Sequence, residues 1–177
     1  MSKQHPVVAV TGSSGSGTTT VKTAFEHIFR RLDVTAAIIE GDSFHRFDRA
    51  AMRQEIARAA GNGENVSHFG PEANLLCDLA TLFKTYGESG SGKRRFYVHN
   101  EEEAQEHGVP SGQFTAWQDL PPDTDMLLYE GLHGAIVTDE CDVAQFADLL
   151  IGVVPIVNLE WIQKIHRDTS QRGYAET

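Results

Sequence analysis

The stretch Gly12-Ser13-Ser14-Gly15-Ser16-Gly17-Thr18-Thr19-Thr20 has the composition of an anion trap. Three glycines let the backbone come close to a bulky ligand. If a helix starts here, its first amides have no intrahelical acceptor, and phosphate is the expected guest. Gly12 and Gly17 have the spacing of the P-loop string G-x-x-x-x-G-K-[ST], but Thr18 stands where lysine is expected. Thr19 keeps the hydroxyl that serves Mg²⁺, and an amide cradle does not depend on side chains, so nucleotide binding should survive the change. The charge that normally spans the outer phosphates must then come from elsewhere in the chain.

Three further groups of residues could supply the rest. Asp42 is followed by His45, Arg46, Arg49 and Arg53. A carboxylate within reach of the loop could accept a proton from a hydroxyl, and the cations after it could hold an anionic substrate. The alternative is that Asp42 only caps a helix and the arginines form a solvated face. Glu130 ends the apolar run Asp125 to Glu130, the usual shape of a strand presenting an acid to a metal. Near the end of the chain, Lys164, Arg167 and Asp168 lie three and four residues apart on a helical pattern, with Arg172 a turn further on. They offer the missing positive charge, although Lys164 and Asp168 could equally be a surface ion pair worth about 0.3 to 0.5 kcal/mol. His166-Arg167-Asp168 also spells the protein-kinase HRD triplet, but it lies inside a helical pattern and no DFG follows.

These residues need a scaffold of alternating strands and helices. Val7 to Thr11 predicts a buried strand, followed by a helix with Val21, Phe25, Ile28, Phe29 and Leu32 on one face. Thr35 to Glu40 predicts a second strand, which places Asp42 at a carboxyl end, where open α/β sheets gather ligands. Arg49 to Ala60 is helical in pattern and ends at Gly61-Asn62-Gly63. Pro71 is expected in the first turn of a helix carrying Leu75, Leu76, Leu79, Leu82 and Phe83. Arg95 to His99 predicts a strand with Tyr97 and His99 on one face. Residues 100–123 read as a surface connection with little regular structure. Leu149 to Val154 predicts the last strand, and a helix from Asn158 should turn Leu159, Ile162 and Ile165 toward the core. His68 by itself is uninformative.

Gly87 to Arg94 (GESGSGKR) matches the P-loop spacing better than the first candidate does, but it follows a helix and leads into a strand. Phosphate capture by helix-start amides needs the opposite order, so a mobile basic loop is the better reading, with Lys93, Arg94 or Arg95 able to touch substrate.

The 177 residues, 40% hydrophobic and 23% charged, suit one globular domain. The formal net charge of −10 argues against nucleic acid as a partner. No apolar run is long enough to span a bilayer, and the first residues lack the apolar core of a signal peptide, so a cytoplasmic protein with no membrane partner is expected. Cys77 and Cys141 form no CxxC pair and read as plain core cysteines rather than a disulfide framework.

Taken together, GSSGSGTTTVK, EGDSFHR, SHF, YVH, YEGLHGA and VVPIVNLEWIQKIHRD resemble phosphoribulokinases of the bacterial type, in the family's order and with its lysine-free P-loop. The resemblance implies an α/β P-loop kinase fold with a mostly parallel (mixed) sheet flanked by helices. It also implies transfer of the ATP γ-phosphate to the C1 hydroxyl of ribulose 5-phosphate, the step that makes the acceptor for carbon dioxide fixation. On that basis Asp42 is the general base, and Thr19 and Glu130 serve Mg²⁺. His45, Arg49, Arg53, Tyr97 and His99 line the sugar-phosphate side, with Asp168 and Arg172 as further contributors. Lys164 and Arg167 stabilise charge on the transferring phosphoryl group. Chloroplast members are switched through a P-loop cysteine, but this loop has Ser16 and none, so thiol control of that sort is not expected. Family members continue past the position of Thr177 through elements that complete the sheet, the homo-oligomer contacts and an NADH-responsive region. The chain is therefore expected to be one P-loop kinase domain, C-terminally truncated. Two other readings remain open: a related kinase of the uridine kinase group, and a chain that binds ATP without turning it over. The cations after Asp42 suit a phosphorylated acceptor better than a nucleoside.

Overall fold

A computed structural model describes residues 4–170; Arg172 lies outside the described residues. The sheet at its centre is four-stranded and wholly parallel. β1 (Val7–Gly12) lies between β5 (Met126–Gly131) and β6 (Leu149–Val153), and β2 (Ala36–Glu40) pairs with the far side of β5. Antiparallel pairing occurs apart from this sheet, in a ribbon of β3 (Lys93–Arg94) and β4 (Gln118–Asp119) and in isolated bridges.

The period-2 alternation of β1 divides the core in two. Val7 and Ala9 face one side with Ala37, Ile39, Leu127 and Tyr129, under Leu79, Phe83 and Tyr86 of α3 (Leu76–Ser89). Val8 and Val10 face the other with Leu128, under Phe29, Val21 and Phe25 of α1 (Thr18–Leu32). The parallel register brings the strand ends level: Val10 pairs with Glu130, and Glu40 pairs with Glu130 from the other side. Thus the glycine-rich loop after β1, the Asp42 segment and Glu130 emerge at one edge of the sheet, as expected for this class. Among the described residues, no helix is long and apolar enough to cross a membrane.

Several expected elements differ. After a 3₁₀ turn over Pro71–Ala73, Asn74 is extended and Leu75 is not yet helical, because the Arg46 amide donates to the Ala73 carbonyl and the Leu75 amide to the Phe44 carbonyl. Those bonds hold the backbone out of helix, and α3 starts only at Leu76. The segment expected as a strand over Arg95 to His99 keeps an isolated bridge, Tyr97 with Phe114, and no continuous ladder. One reason is that the Phe96 amide donates to the Thr115 hydroxyl rather than to a carbonyl. Within residues 100–123, α4 (Glu101–His107) forms where a loop was expected. Asn100 caps it by accepting from the Glu103 amide, and three glutamates in its first turn complement the helix dipole.

The apolar stripes of the outer helices are wider than what covers them. Ile28 and Leu32 of α1 are 48% and 67% exposed. In α5 (Val157–Ser170), Leu159, Ile162 and Ile165 are also exposed rather than directed into a core. Helical period marks a face as apolar but does not say that a partner lies against it. The reading of Cys77 and Cys141 as two independent core cysteines is likewise corrected. Cys77, exposed in the first turn of α3, is joined by a disulfide to buried Cys141, 64 residues away, with Cα atoms 5.3 Å apart. The packing of α3 against the 3₁₀ turn Ala144–Phe146 brings the two together, which spacing alone does not reveal.

Candidate active site

The sheet edge opens into a cleft of about 550 Å³ walled by the P-loop, the Asp42 segment, α2 (Arg49–Gly61), residues 97–103 and the inner face of α5. Gly15 and Gly17 adopt positive φ of 92° and 99°, conformations that disfavour a side chain. A Cβ on Gly15 would meet the Glu160 carbonyl and the Lys164 Cβ at 3.0 Å, so α5 lies directly on the loop. The first α1 bond joins the Val21 amide to the Gly17 carbonyl, and the amides before it have no intrahelical acceptor. Gly12, Ser13, Ser14, Gly15, Thr18 and Thr19 line the cleft; Ser16 is buried beneath the loop, and Gly17 and Thr20 do not form its wall.

Lys164 and Arg167 reach the same wall from α5. Arg167 donates to Ser14 Oγ at 3.0 Å, and Asp168 accepts from Lys164 Nζ at 2.6 Å and from Arg167 Nη2 at 3.1 Å. Burial opposes the Asp168 charge, but these two cations outweigh it and hold the carboxyl below its usual range. Asp168 is thus behind the cations, steering them, rather than on the cleft wall.

Thr19 Oγ1 donates to Glu130 Oε1 at 3.4 Å. Burial pushes the Glu130 carboxyl up, opposed by a Thr18 hydrogen bond and the Lys22 charge. One hydroxyl and one carboxylate facing a phosphate cradle fit a Mg²⁺ that takes its other ligands from water and phosphate oxygens. Among the described residues, no cluster of three His, Cys, Asp or Glu forms a self-sufficient metal cage. Lys22, bonded to Glu40 at 2.7 Å, also lines this end of the cleft, and nothing in its spacing had marked it.

Asp42 follows β2 in a 3₁₀ turn, Gly41–Phe44. Gly41 has to be glycine, since a Cβ there would meet the Tyr129 hydroxyl at 2.5 Å and the Gly131 Cα at 3.0 Å. The Asp42 carboxylate lies deep in the cleft, yet 47% of its side-chain surface is reachable. His45 Nε2 approaches Oδ1 at 3.3 Å and His99 Nε2 approaches Oδ2 at 2.9 Å. Burial would raise the carboxyl, but the two hydrogen-bonded imidazoles overcome it and hold Asp42 far below the usual carboxylate range. Burial likewise works against the His45 and His99 imidazoliums, while Asp42, helped by Asn74 at His45 and Glu103 at His99, raises both.

This cluster gives stability a defined pH dependence. The raised histidines contribute fully below their ordinary value of about 6.5, and the contribution is lost as pH rises through the raised values; the depressed Asp42 contributes above about 3.9 and loses its part as pH falls toward its lowered value. The melting temperature should therefore decline on the alkaline side of neutrality, and the decline should flatten in His99→Gln when melting is followed across pH 5 to about 9.

The other cations divide. Arg49 and Arg53 line the cleft, with the Arg49 guanidinium on the His99 carbonyl at 3.0 Å and the Ser111 hydroxyl at 3.2 Å. Arg46 precedes α2 and turns away to the Glu72 and Asn74 carbonyls. Tyr97 and His99 do share a face, their rings edge-on at 5.0 Å. The stretch from Gly87 is no anion site: its first residues finish α3, Gly90 caps that helix at φ 68°, and Lys93 and Arg94 form β3. None of Lys93, Arg94 and Arg95 lines the cleft.

Arg95 instead braces the Asp42 segment. Its guanidinium lies 3.7 Å from the Phe114 ring centroid and 4.7 Å from that of Trp117, and donates to the carbonyls of Ser43 at 2.8 Å and His45 at 2.6 Å. Arg95→Ala should cost about 2 to 4 kcal/mol by urea unfolding, and Arg95→Lys should not restore it, because an ammonium lacks the planar fork that serves both carbonyls and both rings.

The model of the phosphoribulokinase/uridine kinase family matches residues 7–177. The chain is 57% identical over 176 residues to the phosphoribulokinase of Nitrobacter vulgaris, covering 99% of this chain and 61% of the relative. It is 58% identical over 176 residues to the plasmid phosphoribulokinase of Cupriavidus necator, with 99% and 60% covered. Among solved structures, phosphoribulokinase from Rhodobacter spheroides superposes with a TM-score of 0.84 at 52% identity, covering 99% of this chain and 61% of that one. The chain thus spans about 60% of the length of the curated relatives it matches. With the P-loop, the strand-end carboxylates and the parallel sheet in agreement, the chain belongs to the phosphoribulokinase/uridine kinase family.

Proposed function

We propose that this chain carries the phosphotransfer site of a phosphoribulokinase, moving the ATP γ-phosphate to the C1 hydroxyl of ribulose 5-phosphate. The observation that carries the reading is the position of Asp42: a reachable carboxylate in the same cleft as the P-loop, facing a sugar side lined by His45, Arg49, Arg53, Tyr97 and His99. That wall is cationic, as a phosphorylated acceptor requires, although the chain as a whole is acidic.

In this reading the loop amides and the Thr18 hydroxyl hold the triphosphate, and Arg49 and Arg53 hold the acceptor's phosphate. Asp42 takes the C1 hydroxyl proton as that oxygen bonds to phosphorus and the bond to the ADP oxygen breaks. His45 and His99 orient the carboxylate, and a hydroxyl that displaces either of them from Asp42 makes it a stronger base. Lys164 and Arg167, aimed by Asp168, meet the charge that develops on the phosphoryl oxygens, the work left undone by Thr18 in the lysine position. Thr19 and Glu130 are the residues to hold Mg²⁺, which supplies charge neutralisation between the outer phosphates when bound. A cytoplasmic single domain acting in carbon dioxide fixation, within a homo-oligomer of the full-length family type, completes the proposal.

ADP release coupled to NADH oxidation, run in parallel with ribulose 5-phosphate and with uridine, tests it. Turnover with the sugar phosphate is expected. Turnover with uridine alone would move the chain to the nucleoside side of its family, and ATP binding without turnover on either acceptor would make it a non-catalytic nucleotide binder.

A further inference from the structure

The Asp42 carboxylate is one link in a longer chain of hydrogen bonds. His99 meets Asp42 Oδ2 through Nε2 at 2.9 Å and Glu103 Oε2 through Nδ1 at 3.1 Å. Both partners are carboxylates, which accept and do not donate when ionised, so both ring nitrogens have to donate, and an imidazole that donates twice is an imidazolium. His45 shows the same logic with a weaker partner. Asn74 spends its Nδ2 on the carbonyls of His68 and Gly70, at 3.0 and 2.7 Å, and is left with Oδ1 to accept from His45 Nδ1 at 2.7 Å. The two histidines differ in one respect: a neutral amide stands behind His45 and a carboxylate behind His99.

We propose that Glu103 is a positioning residue for phosphotransfer, holding His99 doubly protonated and turned so that its Nε2 proton meets the Asp42 carboxylate. This rests on Asp42 being the base. Glu103 reaches the role from the third position of α4, where its amide donates to Asn100 Oδ1 at 2.9 Å and its Oε1 accepts from Asn100 Nδ2 at 2.9 Å. Its Oε2 takes both the His99 ring and the His99 amide, the latter at 2.7 Å. The His99 carbonyl is pinned from the other side by Arg49 and by Ser111 Oγ. Among the described residues, the charged and titratable groups that face the ring are Asp42 from the turn after β2, Glu103 from α4, the Tyr97 ring edge-on, Arg49 from α2 at the backbone, and His45, whose like charge works against that of His99. Without the Glu103 charge, a neutral His99 can point an unprotonated nitrogen at Asp42, and the carboxylate loses one of its two holders.

The competing reading is that Glu103 only closes the start of α4, a capping box with Asn100. Glu103→Gln separates the two, because glutamine can serve in that box and carries no charge. The midpoint of the His99 ring, followed by ¹⁵N and ¹H resonances against pH, should move to lower pH in Glu103→Gln and recover in Glu103→Asp, with the melting temperature lowered near pH 6 and unchanged on the alkaline side, where the ring is neutral in both proteins. In turnover, Glu103→Gln should leave the KM for ATP unchanged and lower kcat/KM for the acceptor about tenfold near pH 8.5, but less than about twofold near pH 6, since one unit of midpoint is a factor of ten on the alkaline limb. An unmoved His99 midpoint would overturn the proposal, as would an equal loss at both pH values. If the wild-type chain shows no turnover, the proposed reaction falls while the ring titration still decides whether Glu103 sets the state of His99.

Discussion

Asp42→Asn should lower kcat for ribulose 5-phosphate by about two to four powers of ten, the usual range for losing a general base, while ATP affinity stays close to wild type. In the proposed reading the triphosphate is held by loop amides and α5 cations, which line a different wall of the cleft from Asp42, whereas the acceptor hydroxyl would lose the carboxylate assigned to take its proton. The substitution also disturbs its neighbours in a way that can be measured separately. An asparagine has one acceptor oxygen and one donor amide, so it cannot satisfy both His45 Nε2 and His99 Nε2 as donors. At least one imidazole should lose its second proton, and the midpoints of both rings should fall. Steady-state turnover, ATP titration and ring resonances on the same variant separate these effects. Unchanged turnover would remove Asp42 from the chemistry even if the histidine midpoints moved as expected.

Lys164→Met has the second largest expected effect, a fall in kcat of about two to three powers of ten, the scale for removing one donor aimed at developing charge. Stability should hardly change. The lysine's partner Asp168 keeps its bonds to Arg167, and a lysine side chain 40% exposed in an i, i+4 pair contributes well under about 1 kcal/mol. The KM for ATP should rise much less than kcat falls, because the ammonium is asked to act chiefly on the transition state. Pre-steady-state phosphoryl transfer checks this directly. A loss confined to KM would make Lys164 a nucleotide-binding group and leave Arg167, bonded to Ser14 of the P-loop, as the cation facing the transferred group.

The site residues legible in the sequence are those whose role follows from position along the chain. Gly12, Gly15 and Gly17 declare a strand-to-helix turn with open amides, and Asp42 and Glu130 declare themselves by following apolar strands. Parallel register then brings those strand ends together without further instruction. The residues that were missed act across the chain. Glu103 meets His99 because Asn100 starts a helix inside an acidic stretch that reads as loop. Arg95 contacts Phe114 and Trp117 and grips carbonyls more than 40 residues away, while its neighbours Lys93 and Arg94 form a ribbon strand that does not line the cleft. Arg46 and Arg49 look alike as basic residues after Asp42, yet only Arg49 lies on the helix that borders the cleft.

The sequence by itself determined the α/β class, the glycine-rich strand-to-helix turn and the two strand-end acids, because strand period, glycine placement and helix starts are local properties of the backbone. Tertiary structure alone decided which side chains share protons and charges. It brought Asp42 between two imidazoles, set Asp168 behind the cations of α5, joined Cys77 to Cys141 and left the apolar stripe of α5 exposed. The physical reason is distance: hydrogen bonds and close ion pairs act within about 3 Å, and which distant residues come that near is settled by how the elements pack, not by their spacing along the chain.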